Sequence, residues 1–323
     1  MVKIRIHRKK ENRRDKAGIV LSALLFFVLF PYIISGFSNV QKQTFSQKEV
    51  PGQIWVLQKK LWGIKKIPLE EYLVGMMAAT IPVEYEMETL KAQAVIMRSF
   101  CMSQMVKENG EKIIYDDVIK EYYMQVSQYE ELWKENVENS HSKMQLAVNE
   151  TKGIIAVFGG DIVELPFCRM SNGNTRDITE YIIYKETYPY MKTVPCDDDK
   201  MAEECIQYIK IPMKEFEEKI RKLLPQESKK PGKLTLYRDA KDYVKEIQIE
   251  EQRIAGEDFR EALGIVSSCY FLEKINNVME IRTKGIGHGF GFSQYEANRL
   301  AKEEKDYRYL LNYFFENIEL EKV

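Results

Sequence analysis

PLEEYLVGMMAATIPVEYEMETLKAQAVIMR, residues Pro68 to Arg98, writes two helices and the bend between them. Pro68 brings the fixed φ suited to a first helical position. Glu70 and Glu71 sit where the positive end of the helix dipole favours carboxylates, and Leu69, Leu73, Met76 and Met77 supply an apolar face. That helix has to stop near Ile81, because Pro82 lacks an N–H and biases the residue before it away from helical backbone. A second helix is expected from about Glu86, with Leu90, Ala94, Met97 and Cys101 recurring at helical spacing. Lys91 and Arg98, one heptad apart, share a neighbouring face, so two cations are expected to overlook one groove. The junction Thr80-Ile81-Pro82 is where chemistry is to be sought.

Two later stretches matter alongside it: CRMSNGNT at Cys168 to Thr175, and TKGIGHGFGFSQYEANRLA at Thr283 to Ala301. Taken in order, the three motifs resemble the stage II sporulation protein D family, relatives of the amidase enhancer LytB. The family signature reads roughly LEEYVVGVVASEMP…EALKAQAVAARTY, STSNGKT and TKGYGHGVGMSQYGANGMA. The resemblance covers about Pro51 to the C-terminus. It implies a membrane-anchored lytic transglycosylase that cuts peptidoglycan glycan strands stripped of their stem peptides, working with a membrane-bound cell-wall amidase. It also implies a glycan-binding set of Lys91, Arg98, Ser171, Asn172, His288, Gln294 and Tyr295.

One departure falls at the centre of the resemblance. Aligned without gaps, the family's ASEMP is Ala78-Ala79-Thr80-Ile81-Pro82 here, so Thr80 stands where the family carries its catalytic glutamate. General acid catalysis needs a group whose pKa lies near the working pH, which surroundings can arrange for a carboxylic acid but not for an alcohol. Such proton transfer contributes ~10²–10⁴-fold in rate, so its loss leaves binding and removes most turnover. Glu84, Glu86 and Glu88 lie nearby; Glu88, at a position acidic in the family pattern, is the fallback carboxylate, although capping and solvating the second helix accounts for all three. The expectation is a glycan-binding pseudoenzyme. The alternatives are a weak transglycosylase using a displaced carboxylate, and a surface protein that has kept the fold without the affinity.

The ends of the chain set its location. Met1 to Lys16 carries eight Lys/Arg against Glu11 and Asp15, a net of +6, so the other residues of this −1 chain sum to −7. Ala17 to Phe37 is 21 uncharged residues, long enough to cross a hydrocarbon core of ~30 Å as a helix. The positive-inside rule keeps residues 1–16 cytoplasmic, makes 17–37 the transmembrane anchor and 38–50 a polar linker, and puts 51–323 outside the cell. A cleaved secretion signal has the same opening, but the run is long and no A-x-A-like pair precedes Ser38. No nucleic-acid partner is indicated.

Five cysteines, an odd number without a C-x-x-C, do not write a dense disulfide framework; Cys196 and Cys205 either close a small loop or are ordinary thiols. Some relatives bind zinc through clustered His and Cys. Here only His7, His141 and His288 exist, without four-ligand spacing, so no metal and no cofactor is expected.

The rest of the chain reads as an α+β fold, mixed strands and helices around a glycan groove, with room for one large domain or two intimately packed ones. Short strands are expected from Ile54, amphipathic helices between Glu108 and Lys152, and a hairpin over Gly153 to Met170 turning at Gly159-Gly160-Asp161. A helix at Met213 to Leu224, a loop at Ser228 to Lys233, strands at Leu234–Tyr237 and Tyr243–Ile249, a helix at Gly256–Leu263 and strands at Cys269–Ile275 and Val278–Arg282 follow. Ser171-Asn172-Gly173 is either a simple turn or a polar loop offered to sugar hydroxyls. The run Gly285-Ile286-Gly287-His288-Gly289-Phe290-Gly291 clears one side of an extended stretch for close approach; it gives no G-x-G-x-x-G frame. Ser293 with Glu296 is expected to cap the C-terminal helix as a capping box.

Overall fold

The computed structural model describes residues 54–60, 63–108, 111–224 and 233–323. The basic tail, the apolar span, the 38–50 linker and most of the expected 228–233 loop lie outside them. No helix among the described residues is long and apolar enough to cross a membrane.

In chain order the elements are β1 (Ile54–Lys60), β2 (Gly63–Pro68), α1 (Leu69–Thr80), α2 (Met87–Ser103), β3 (Val106–Glu108), β4 (Glu111–Tyr115), α3 (Val126–Trp133), α4 (Val137–Glu150), β5 (Ile154–Phe158), β6 (Asp161–Ile162) and β7 (Phe167–Cys168). Then come α5 (Ile182–Thr187), β8 (Ile206–Pro212), α6 (Met213–Arg221), β9 (Leu234–Arg238), β10 (Val244–Ile249), β11 (Gln252–Ala255), α7 (Gly256–Leu263), β12 (Cys269–Ile275), β13 (Val278–Lys284), β14 (Phe292–Ser293), α8 (Gln294–Lys302), α9 (Tyr307–Phe314) and β15 (Glu319–Lys322). The fold is α+β. Its sheets are small and mostly antiparallel: β2-β1-β4-β3, β11-β10-β9, β12-β13-β8, β14-β7 and β15-β5-β6.

The deciding stretch behaves as its residues dictate. Pro68 opens α1, and Ile81 leaves it at φ −141°, ψ 142°, the extended backbone required of a residue before proline. On α2 the positions Leu90, Ala94, Met97 and Cys101 are all buried. α1 and α2 form the centre of the main core with α4, β5 and α9. A second core gathers α6, α7, β10 and the inner face of β12-β13-β8 around Phe216, Phe259, Ile247 and Ile281.

Three expectations change on contact with tertiary structure. The 153–170 hairpin pairs over only two residues, Val157 with Ile162 and Phe158 with Asp161; the chain then leaves so that Phe167 and Cys168 pair in parallel with Phe292 and Ser293. Ser293 occupies the N-cap of α8 but makes no capping bond, and Glu296 instead accepts the Asp198 N–H at 3.1 Å, so there is no capping box. The glycine run is a loop rather than an extended strand, with Gly285 at φ +77° and Gly291 at φ +69°. Close approach is nonetheless its purpose: a Cβ on Gly285 would lie 2.6 Å from Ser171 O, and one on Gly291 only 2.1 Å from Pro166 O.

Candidate functional site at the exit of the first helix

Thr80 is the last residue of α1, half-buried, and its hydroxyl donates back to Met76 O at 2.8 Å. Its carbonyl is one of the terminal acceptors a helix cannot pair internally. Gln294, the first residue of α8, satisfies it: Nε2 donates to Thr80 O at 2.8 Å and to Gln93 Oε1 of α2 at 3.2 Å. Two motifs more than two hundred residues apart are thereby locked together.

The third motif is joined through a residue that the sequence did not single out. Asp199 is wholly buried, and its Oδ2 accepts the Ser171 N–H at 2.7 Å and the Ser293 hydroxyl at 2.7 Å. Burial, opposed by those hydrogen bonds, pushes its carboxyl up to about 6. Asp199 Oδ1 and the Tyr85 hydroxyl are buried and take no hydrogen bond from a described residue. Burial raises the Tyr85 phenol, with Arg169 opposing and Asp199, Tyr295 and Glu204 adding to the shift, so these groups surround one ring. Arg169 holds its guanidinium 5.2 Å over that ring and forms no ion pair among the described residues. Next in the chain, Glu296 is raised to about 7 by burial and by the neighbouring carboxylates of Asp199 and Asp198.

The expected pair of groove cations is not there. Arg98 is 1% exposed. It grips Glu70 through Nε at 2.9 Å and Nη2 at 2.7 Å, and donates to the carbonyls of Val148 at 3.1 Å and Ile154 at 3.2 Å. A guanidinium so enclosed is part of the core, joining α1, α2, α4 and β5. Lys91 is paired with Glu88 at 2.6 Å and Glu150 at 2.5 Å. Glu88 is engaged on both oxygens, with Lys91 and with the Tyr307 N–H at 2.9 Å. It also stands five residues before Gln93, about 140° around the helix from the face that meets Thr80. The cation that does face this region is Arg169, and the quoted run CRMSNGNT contained it.

The Ser-Asn-Gly loop is largely self-contained. Ser171 is buried and its Oγ accepts the Gly173 N–H at 3.0 Å, while Asn172 donates from Nδ2 to Lys241 O at 2.5 Å and accepts the Asn174 N–H at 3.3 Å. The turn reading accounts for these bonds, although Asn172 keeps an exposed edge. Tyr295 remains half-exposed over Met170, Ala202 and Cys205. His288 belongs to a different centre. Its Nδ1 accepts the Phe290 N–H at 3.0 Å, and its carbonyl accepts from the buried Arg176 at 3.1 Å. Arg176 is itself held by Asp239 at 3.2 Å and Glu257 at 2.9 Å. Burial pushes the imidazole down to about 4, so the ring is neutral at physiological pH. All five cysteines are free and buried, and among the described residues no three His, Cys, Asp or Glu side chains gather as a metal site.

The family model described as stage II sporulation protein matches residues 57–158, from β1 through the end of β5, which includes α1, α2 and Thr80. The chain is 29% identical over 278 residues to stage II sporulation protein D of Bacillus amyloliquefaciens, an alignment covering 84% of this chain and 80% of the relative. It is 28% identical over 278 residues to stage II sporulation protein D of Bacillus subtilis (strain 168), with the same coverage. Residues 57–158 thus match the stage II sporulation protein family model, and the chain as a whole is similar to stage II sporulation protein D over 84% of its length.

Proposed function

We propose that this protein holds peptidoglycan glycan strands at the exit of α1 and that the family's strand-cutting step is lost or weakened in it. Residues 17–37 anchor it in the cell membrane with its N-terminus cytoplasmic, and residues 51–323 work outside, beside a membrane-bound cell-wall amidase. In the chemistry implied by the family, one acid protonates the glycosidic oxygen and then, as base, helps the muramic acid 6-hydroxyl close on C1, which yields an anhydro end. That scheme needs no second carboxylate and differs in this from glycoside hydrolysis. The observation that carries the proposal is Thr80: an alcohol tied to Met76 O occupies the position from which the acid would act. The groups around it still suit a sugar chain. The half-exposed Tyr295 ring offers a stacking surface, and Arg169, without an ion pair among the described residues, offers a charge for carboxylates.

A second reading is supported by Asp199. Its buried carboxyl, raised to about 6, lies next to Tyr85 and is linked by Ser293 to the Gln294 that touches Thr80; it is a better displaced acid than the fully engaged Glu88. Incubating the full chain with peptide-free glycan strands separates the readings. The proposal expects strands to co-sediment with the protein and no anhydro-ended product to form. Anhydro product from the natural chain, lost in Asp199→Asn and kept in Glu88→Gln, would replace it with the second reading. Failure to bind glycan at all would overturn both.

A further inference from the structure

β13 lies between β12 and β8, so their sheet has two edges, and the two are not alike. Backbone groups alternate in direction along a strand. The Cys205 carbonyl accepts the Gly285 N–H at 2.7 Å, and the Met213 N–H donates to the Asn277 carbonyl at 3.0 Å. With the register, these bonds turn the backbone groups of Gln207, Ile209 and Ile211 toward β13 and those of Ile206, Tyr208 and Lys210 away from it. The outward N–H and C=O groups of these last three take no hydrogen bond among the described residues. Along β12 the outward carbonyls are occupied: Ser268, just before the strand, accepts the Val244 N–H at 2.9 Å, and Tyr270 accepts from Arg238 at 2.7 Å. The sheet is covered at the start of β12 and open along β8.

Open edges recruit strands, and proteins blunt them with proline, charge or a bulge. β8 has no proline before Pro212, its last residue, and the charge of Lys210 is taken up by Glu280 at 2.5 Å. Tyr208 is 70% exposed and Ile206 45%. The open stretch is symmetric about Tyr208, with Ile206 two residues before it and Lys210 two after, and the Glu203–Cys205 turn and Pro212 closing its ends. A stretch of that form complements itself. Laid antiparallel on a second copy with Tyr208 at the two-fold axis, Ile206 of each copy faces Lys210 of the other, and every outward N–H and C=O of these residues gains a partner. Charge favours the same direction. On the outer face Lys284 neighbours Ile206, while Glu280, backed by Glu273, neighbours Lys210. Antiparallel joining runs the cationic row of one copy into the acidic row of the other, whereas parallel joining sets like rows side by side.

We propose that β8 is a self-association edge: two copies of this chain join through antiparallel β8 strands, Tyr208 opposite Tyr208, so that two three-stranded sheets become one continuous sheet. The two tyrosines form a cross-strand aromatic pair on the outer face, flanked by Arg282 of each copy. Neither Thr80, Tyr85, Arg169 nor Asp199 lies on this edge, so the pairing stands or falls independently of the glycan-holding reading.

The test is made on the full chain in detergent micelles. The five natural cysteines are buried, so a thiol placed on the edge reports alone. Residues facing one another in a bonded antiparallel pair have Cα atoms about 5.5 Å apart, within reach of a disulfide. Tyr208→Cys is expected to form a reducible covalent dimer under copper phenanthroline, Lys210→Cys alone to form none, and Lys210→Cys mixed with Ile206→Cys to form it again. Tyr208→Pro deletes an outward N–H and leaves the ladder to β13 intact, so it is expected to weaken dimerisation in sedimentation equilibrium by about tenfold or more, while Tyr208→Phe keeps the dimer. Thermal unfolding checks that Tyr208→Pro still folds; if it does not, the cysteine variants decide. A natural chain that sediments as a monomer throughout would overturn the inference. So would a dimer untouched by a folded Tyr208→Pro, which must be held together elsewhere, or Lys210→Cys cross-linking with itself as readily as Tyr208→Cys, the mark of chance collision.

Discussion

Two residues show how far a side chain's surroundings can depart from its neighbours in sequence. Arg98 was legible as a cation on α2 but not as a core residue, because its partners are Glu70, Val148 and Ile154, and nothing local announces them. Removing one member of a buried, fully engaged pair strands the other group, so Arg98→Ala is expected to lower stability by about 3–5 kcal/mol. Chemical denaturation reads this directly, and a stable Arg98→Ala protein with weakened glycan binding would restore Arg98 as a ligand. Asp199 is the reverse case: three consecutive aspartates suggest a solvated loop, yet the last is buried between Ser171 and Ser293. Its folded carboxyl is raised from the ordinary aspartate value to about 6. The stability it contributes is therefore complete below about pH 4 and is lost as pH rises through 6. Asp199→Asn removes that loss, so its stability relative to the natural chain should improve by on the order of 2 kcal/mol between pH 4 and pH 8. A difference that does not change with pH would contradict the buried, proton-bearing aspartate.

At the scale of elements, the helices and strands were mostly legible, because their signals are local. Pro82 ended α1, Leu90 to Cys101 set the buried face of α2, and Gly256–Leu263 formed the short helix that its pattern indicated. What a periodic pattern cannot say is how much of a helix is covered. α2 is buried nearly all round, so the face beside its apolar stripe is interior as well. The same blindness explains Ser293, whose hydroxyl is taken by a residue ninety-four positions earlier instead of capping its own helix. The glycine run is a site of close approach, as its alternating glycines indicate, and its loop form follows from positive φ at each glycine. Gly291→Ala sets a Cβ against Pro166 O, while Gly264, at φ +70° after α7, has open space around it. Gly264→Ala should cost about 1 kcal/mol for backbone strain alone, and Gly291→Ala about 3 kcal/mol or more because backbone must also move. Equal losses in thermal unfolding would mean that the β7–β14 contact does not depend on that glycine.

Across the whole molecule, two cores are joined at the places where the three motifs meet. Thr80, Gln93 and Gln294 close the main core, while the Arg176 hub, with Tyr181, Tyr243 and Phe290 around its guanidinium, ties the Ser-Asn-Gly loop and the glycine run to the second. Motif order in the sequence carried no sign that His288 faces the hub and Arg169 the helix exit. The proposed loss of turnover rests on one residue, Thr80. It is tested most directly by measuring anhydro-ended product from peptide-free glycan with the natural chain and with Thr80→Glu. The account predicts product only from Thr80→Glu, at a rate at least ~10²-fold above the natural chain, the scale of a restored general acid. Product from the natural chain at the same rate as the variant would contradict it.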